Sequence, residues 1–238
     1  MNFIPHLEEL RRRLLICLLV FFAASLAAYF FSRPILDFLT QPLRQSPYPA
    51  QLIFQRPYEA FLVHIKVAAF SGFLMSSPLL LIQAWLFLVP GLYEREKKVF
   101  FPVILISILL FWAGVMLSFF LVVPWTLRFL LGFQTETLKP LLSVGPYFSF
   151  LVGMVTAFGV LFDFPVFMVG LVELGLVRVA ALAASRKIIF VLIFTAAAIL
   201  TPSPDPVSQI ILAVPLMALF EISLYIAALR EKRRSIDA

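Results

Sequence analysis

The chain has 238 residues, of which 62% are hydrophobic and only 13% are charged. Soluble domains carry about 25% charged residues, so one water-soluble core cannot hide this apolar surface and lipid must solvate much of it. The net charge of +6 comes from basic residues at the ends of apolar runs, which argues against a nucleic-acid-binding protein with one basic face.

Long runs with few charged residues predict an all-α integral membrane protein with six spanning helices, since a charge at mid-bilayer costs several kcal/mol. The predicted spans lie at about 14–32, 58–89, 99–127, 147–177, 188–204 and 206–225. The last two are short, because their charge-free windows cover only about 26 Å and 22 Å as helix. A proline-bearing segment, 33–57, predicts an external cap of short helices and turns, and 226–238 a cytoplasmic tail. One membrane domain, 1–238, contains all of these segments.

The basic residues predict the orientation of the chain in a plasma (inner) membrane. With these spans, 13 of the 19 Lys and Arg residues fall on the side of the termini, five fall on the other side, and Lys66 lies within a span. Cytoplasmic loops carry the excess of Lys and Arg, so we expect both termini in the cytoplasm.

The amino-terminal segment, His6-Leu-Glu-Glu-Leu-Arg-Arg-Arg-Leu14, predicts an amphipathic helix along the membrane surface. Glu8 and Arg12, and Glu9 and Arg13, stand four residues apart and can pair on one helix face. An interfacial helix with self-neutralised charges would explain this pattern without any further role.

The first cytoplasmic loop places Glu94 and Glu96 among Arg95, Lys97 and Lys98. A solvated turn whose bases set the topology is one interpretation. The other is a carboxylate site for a cationic ligand, because acidic residues contribute little to topology.

Asp163 lies deep in the fourth predicted span, two residues before Pro165. Intramembrane carboxylates are costly and predict a functional site. A structural role, in which Asp163 binds freed backbone groups or pairs with Lys66, is the alternative.

The external turn before the sixth span runs from Thr201 to Gln209. Asp205 followed by Pro206 is typical of a helix start, with the acid at the cap and proline at the first position. Gln209, and likewise Gln83 in the second span, predict polar partners within the membrane.

The motifs of common enzymes are missing from the sequence. It contains only His6 and His64 as histidines, and no Walker A, G-x-S-x-G or C-x-x-C pattern. We expect neither an enzyme, nor a metal site, nor a cofactor.

The segments HLEELRRRL, QAWLFLVPGLYEREKK, AFGVLFDFPV and TPSPDPVSQ, in this order, resemble the TatC family, the multispanning component of the twin-arginine protein translocase. The resemblance covers residues 6 to about 225. It implies a cupped six-helix receptor for signal peptides with consecutive arginines, which exports folded proteins with the proton-motive force.

The resemblance also implies the site residues. Glu9 and Glu96 match the two glutamates that bind the arginine pair, and His6, Arg11, Tyr93 and Lys97 are expected to support them. Asp163 stands where the family commonly has glutamate, one methylene longer. Pro202, Asp205 and Gln209 match the external turn, and Ser203 is an additional residue in it.

The implied partners are single-span TatA-like and TatB-like subunits, the signal peptides of folded cargo, membrane lipid and further copies of the chain. TatB is expected to dock near the fifth span and the external turn, and TatA to join when substrate binds. A small ion-coupled secondary transporter that uses Asp163 and Lys66 is the alternative function, and it predicts inverted repeats, which we do not find in the sequence.

Overall fold

The computed structural model describes residues 3–48, 51–88, 97–135, 140–173, 177–200 and 206–234. These residues are mostly helical. The helices up to residue 88 are α1 (Phe3–Phe30), α2 (Ser32–Leu39), α3 (Gln41–Arg44) and α4 (Glu59–Leu88). Those that follow are α5 (Lys97–Leu117), α6 (Val123–Leu131), α7 (Val144–Phe162), α8 (Phe164–Glu173), α9 (Val179–Ala184), α10 (Arg186–Leu200) and α11 (Pro206–Arg234). Two short strands are β1 (Gln51–Ile53) and β2 (Leu141–Ser143).

Five helical segments of the described chain are long and apolar enough to cross a membrane. They are Leu7–Phe30, Glu59–Phe87, Phe101–Leu131, Val144–Val172 and Gln209–Glu231. The chain is therefore a multi-pass, mostly helical membrane protein. The α10 helix, which is the fifth predicted span in chain order, has 15 residues and covers about 22 Å. That α10 crosses the membrane, which would bring the total to six spans, stays a prediction.

The chain divides into two compact units, Met1–Ile108 with Gln134–Ser149, and Leu109–Phe133 with Phe150–Ala238. In the first unit α1 packs along α4, with Ala28 and Val67 buried. Gly72 of α4 permits this approach, because a Cβ at residue 72 would lie 2.5 Å from the backbone N and Cα of Ser25. Trp85 Nε1 donates to Ser107 Oγ at 3.1 Å and joins α4 to α5.

Pro78 lies inside α4 without breaking it. Proline has no N–H, so the carbonyl of Leu74, four residues earlier, loses its helical donor. The hydroxyl of Ser77 donates to that carbonyl at 2.7 Å. Such local replacement is how proline is tolerated in spanning helices.

The cap segment 33–57 contains the short helices α2 and α3 and also a strand that we did not expect from the sequence. β1 pairs in parallel with β2, with Gln51 opposite Leu141 and Ile53 opposite Ser143. Three-residue strands are too short to produce a recognisable alternation in sequence. The pair lies just before the first turns of α4 and α7.

In the second unit the end of α5 packs against α7 through glycines. A Cβ on Gly114 would lie 2.5 Å from the carbonyl of Phe158. Residues Ser118–Val122 then form a π-helical turn, in which Val123 N–H bonds to Ser118 O. Pro124 follows and cannot donate to Phe120, which explains the wider turn.

The rest of the second unit is built around α11. A buried cluster joins α8, α9 and α11, including Met168, Phe220 and Leu224. The α11 helix has 29 residues and is longer than the short last span we expected. Glu221 lies inside this helix and forms an ion pair with Arg186 at 3.2 Å.

Candidate functional site

The carboxylate of Glu9 belongs to a three-residue polar cluster on α1 and α4. Arg13 donates to Oε1 of Glu9 from Nε at 3.0 Å and from Nη2 at 2.5 Å. Its remaining amino group, Nη1, donates to Oε1 of Gln83 at 2.9 Å, although Gln83 lies 70 residues away in sequence. The predicted pairing of Glu9 with Arg13 is confirmed, and Gln83 has the polar partner that its position required.

Local helix geometry and the packing of α1 on α4 produce this cluster together. Residues four apart lie on the same helix face, so Glu9 and Arg13 meet. That face points at α4, where Gln83 projects one turn from the carboxyl end of the described helix. Glu8 and Arg12 are exposed, and no ion pair joins them in the described part of α1.

The charged side chains of Glu9 and Arg13 are partly shielded from solvent. The side chains of Arg13 and Glu9 are 21% and 34% exposed. Both contacts from Arg13 fall on Oε1 of Glu9. A guanidinium presents a planar fork of donors, and a carboxylate that is only partly hydrated pairs with it more strongly than one in bulk water.

The other predicted members of the cytoplasmic site are only partly described. Arg11 is exposed on α1, within two residues of Glu9. His6 lies in α1 and Lys97 begins α5, but their side chains are outside the description. Tyr93 and Glu96 fall outside the described residues.

Asp163 lies at the break between α7 and α8. Its backbone N–H donates to Val160 O at 3.2 Å, and its carbonyl accepts from the N–H groups of Val166 and Phe167 at 3.1 Å. The side chain is half-buried, and its Oδ2 atom is shielded from solvent. Main-chain hydrogen bonds therefore form a turn at the break between α7 and α8.

Gln209, the described member of the external-turn group, lies in the first turn of α11. Its Nε2 donates to the carbonyl of Phe194 in α10 at 2.8 Å. This bond supplies the partner that a polar side chain needs in a membrane helix. Pro202 and Asp205 lie outside the described residues.

Sequence reasoning missed Glu59, the first residue of α4. Its Oε1 accepts from the hydroxyl of Ser143 and from the backbone N–H of Gly145 at 2.7 Å. Its Oε2 accepts from the N–H of Gln55 at 2.7 Å. The acid at a helix start was a visible signal, but its partners across the β1–β2 pair were not.

Sequence reasoning also left the partner of Lys66 open. Its Nζ atom donates to Ser149 Oγ at 2.9 Å, and that hydroxyl donates to Gly145 O at 3.0 Å. Tyr147 Oη donates to Leu39 O at 3.0 Å nearby in the same unit. No group of three His, Cys, Asp or Glu side chains that could hold a metal occurs among the described residues.

Comparison with known proteins identifies a single family. The family model described as "Sec-independent protein translocase protein (TatC)" matches residues 5–215. The Sec-independent protein translocase protein TatC of Magnetococcus marinus is 39% identical over 233 residues, which cover 98% of this chain and 86% of that protein. The protein of the same name from Aquifex aeolicus is 37% identical over 231 residues, covering 96% and 95%.

Solved structures agree with this. A crystal structure described as the twin-arginine translocase receptor TatC superposes with a TM-score of 0.85 at 38% identity, covering 94% of this chain and 98% of its own. A second, in DDM, has a TM-score of 0.86 and covers 93% and 99%. The resemblance found in the four sequence segments is thereby confirmed, and the chain belongs to the TatC family of Sec-independent protein translocase proteins.

Proposed function

We propose that this chain is the multispanning signal-peptide receptor of a twin-arginine translocation system and that it acts without enzymatic chemistry of its own. The observation that carries the proposal is the likeness, over 94% of the chain, to a structure described as the twin-arginine translocase receptor. The proposed cargo is folded protein, and the proposed energy source is the proton-motive force.

Glu9 and Glu96 are the proposed ligands of the two signal-peptide arginines. The geometry of Glu9 supports this role, because its partly exposed carboxylate already accepts a guanidinium from Arg13. Arginine stays charged and matches a carboxylate with two parallel donors, whereas lysine offers a point charge. His6, Arg11, Tyr93 and Lys97 are proposed to support the site from the same side of the membrane.

The proposed topology has six spans, with α10 as the fifth, in a plasma (inner) membrane with both termini in the cytoplasm. The distribution of Lys and Arg supports it, with 13 on one side against five on the other. The whole chain is proposed to act as one membrane domain.

The proposed partners are TatA-like and TatB-like single-span subunits and further copies of the chain. TatB is proposed to dock near α10 and the external turn that contains Pro202, Asp205 and Gln209. Asp163 is a proposed intramembrane polar site. Its support is that the side chain is half-buried at the break between α7 and α8, within a predicted span, where a carboxylate is costly.

Binding of a labelled twin-arginine signal peptide to the protein in nanodiscs tests the proposal. The same peptide with two lysines measures selectivity, and Glu9→Ala and Glu96→Ala test the site. We expect each substitution to weaken arginine binding about tenfold, the usual size of a lost charge-assisted pair. Glu8→Ala, which removes an exposed acid next to Glu9, is the matched control and should bind normally.

Equal affinity for both peptides in well-folded wild type, with and without a TatB-like subunit, would contradict the proposal. Loss of binding in Glu8→Ala as large as in Glu9→Ala would also contradict it, because general charge and not a site would then explain the binding.

A further inference from the structure

The carboxylate proposed to bind peptide arginine is already occupied by an arginine of the same chain. Arg13 places two donors on Oε1 of Glu9, at 3.0 Å and 2.5 Å. A pair of opposite unit charges at this distance is nearly neutral to a third charge, so it attracts an incoming cation less than a lone carboxylate would. The bound group and the expected ligand group are chemically the same.

Gln83 holds Arg13 in this position from a different helix. Its amide oxygen accepts from Nη1 at 2.9 Å, so all three nitrogens of the guanidinium are used. Because Gln83 belongs to α4 and the glutamate to α1, the arginine is fixed at the contact between two packed helices. A lysine ammonium carries its three donors on one nitrogen and could not make the same set of contacts.

We propose that Arg13 is a tethered competitor for Glu9: it occupies Oε1 in the empty receptor, and a signal-peptide arginine that binds both carboxylate oxygens must displace it from Oε1. Gln83 is the positioning residue that keeps Arg13 in place. This inference rests on the proposed receptor function and adds a resident inhibitor to its site.

A tethered competitor has a definite thermodynamic signature. Releasing Arg13 from Glu9 costs the same free energy whichever group replaces it. The need to release Arg13 therefore lowers the affinity for every cationic peptide by the same factor. The ratio of the affinities for the twin-arginine and twin-lysine peptides is unchanged. Weakly basic segments are therefore rejected, because they bind too weakly to displace Arg13. The preference for arginine over lysine depends instead on the geometry of the bound pair.

The test measures the dissociation constants of the twin-arginine and twin-lysine peptides for three variants in nanodiscs. Arg13→Gln removes the competitor. Arg12→Gln removes the same charge from the neighbouring exposed position and corrects for general electrostatics. Gln83→Leu frees Arg13 from its anchor without changing the net charge.

We expect Arg13→Gln to bind both peptides about two- to fivefold more tightly than Arg12→Gln does, by the same factor for each, since partly exposed ion pairs contribute that much. Gln83→Leu should bind both peptides more tightly than wild type, by a smaller factor. Arg13→Lys keeps the charge, and its affinity for both peptides should lie between those of wild type and Arg13→Gln. It replaces Arg13→Gln in the comparison if the glutamine variant does not fold.

Affinity that falls, or does not change, in Arg13→Gln relative to Arg12→Gln would overturn the inference, because Arg13 would then support the ligand and not compete with it. Unequal factors for the two peptides would also overturn it. Failure of the receptor proposal is detected separately in the wild-type protein, which would then show no preference for the twin-arginine peptide.

Discussion

The carboxylate of Glu59, at the first turn of α4, accepts a hydrogen bond from the backbone N–H of Gly145 at 2.7 Å, across 86 residues of sequence. The same oxygen accepts from Ser143, and the other accepts from the N–H groups of Gln55 and Arg56 at 2.7 and 3.4 Å. One side chain thus satisfies donors that precede α4 and donors at the start of α7. These bonds connect the carboxyl ends of the two parallel strands, β1 and β2.

Glu59→Gln should lower the temperature of thermal unfolding. The substitution keeps the shape but replaces one acceptor oxygen by an NH₂ group, which would face either the N–H of Gln55 or the donors from Ser143 and Gly145. Unfolding in detergent, followed by circular dichroism, measures the effect. Asp37→Asn is the matched control, because the Asp37–Arg44 pair is 67% and 65% exposed and should contribute little. Equal shifts in both variants would show that Glu59 is only a surface acid.

Two glycine-to-alanine substitutions should have opposite effects on stability. Gly72→Ala forces α1 away from α4, because the new Cβ would lie 2.5 Å from the backbone of Ser25. We expect a cost of about 1–3 kcal/mol in the free energy of unfolding. Gly153→Ala in α7 has open space around its Cβ, with nothing within 4 Å. It should stabilise the helix by up to about 1 kcal/mol. Denaturant titration in micelles compares them, and a stabilised Gly72→Ala would contradict the close approach of the helices.

Gln209→Leu should weaken the link between α10 and α11. It removes the donor to Phe194 O, and hydrogen bonds between spanning helices contribute about 0.6–2 kcal/mol. Thr195→Val is the control, since that exposed hydroxyl donates to Val191 O within its own helix at 2.8 Å. Unfolding equilibria of both variants provide the measurement. An equal loss of unfolding free energy in Thr195→Val and Gln209→Leu would show that the bond between the helices contributes no more than a bond within one helix.

Asp163→Asn should separate the receptor function from the proposed intramembrane site. Asparagine has nearly the same shape as aspartate and leaves the backbone bonds of the turn in place, so the variant should fold. Signal-peptide affinity should stay within about twofold of wild type. Export of a folded reporter into energised vesicles that contain the partner subunits should fall, and Asp163→Glu should retain more of it. Full export by Asp163→Asn would contradict a role for the charge at residue 163.

Sequence patterns with a short range identified which residues can meet. Glu9 and Arg13 are four residues apart on one helix and pair, whereas Glu8 and Arg12 have the same spacing, are exposed and form no ion pair in the described part of α1. The fourth span was predicted as one run, 147–177, whereas α7 ends at Phe162 and α8 begins at Phe164, next to Pro165, which cannot continue the bonding pattern of the preceding turn. The four family segments predicted the TatC family, which the comparisons confirm.

Contacts between distant residues were not predictable in the same way. Gln83 was expected to need a partner, but only the packing of α1 on α4 determines that this partner is Arg13. The predicted last span, 206–225, is shorter than the helix α11, which continues to Arg234, and the ion pair of Glu221 with Arg186 was not predicted. The partners of Glu59 in β2 and at the start of α7 could not be identified from the sequence.

The sequence by itself determined that the chain enters a membrane and to which family it belongs, because hydropathy, helix periodicity and local motifs act over one or two turns. Only the tertiary structure decided which polar groups meet. In a protein with few charged residues, each polar side chain in an apolar environment must find a partner, and a partner that lies 70 or 86 residues away is selected by the packing of helices and strands and not by the local sequence.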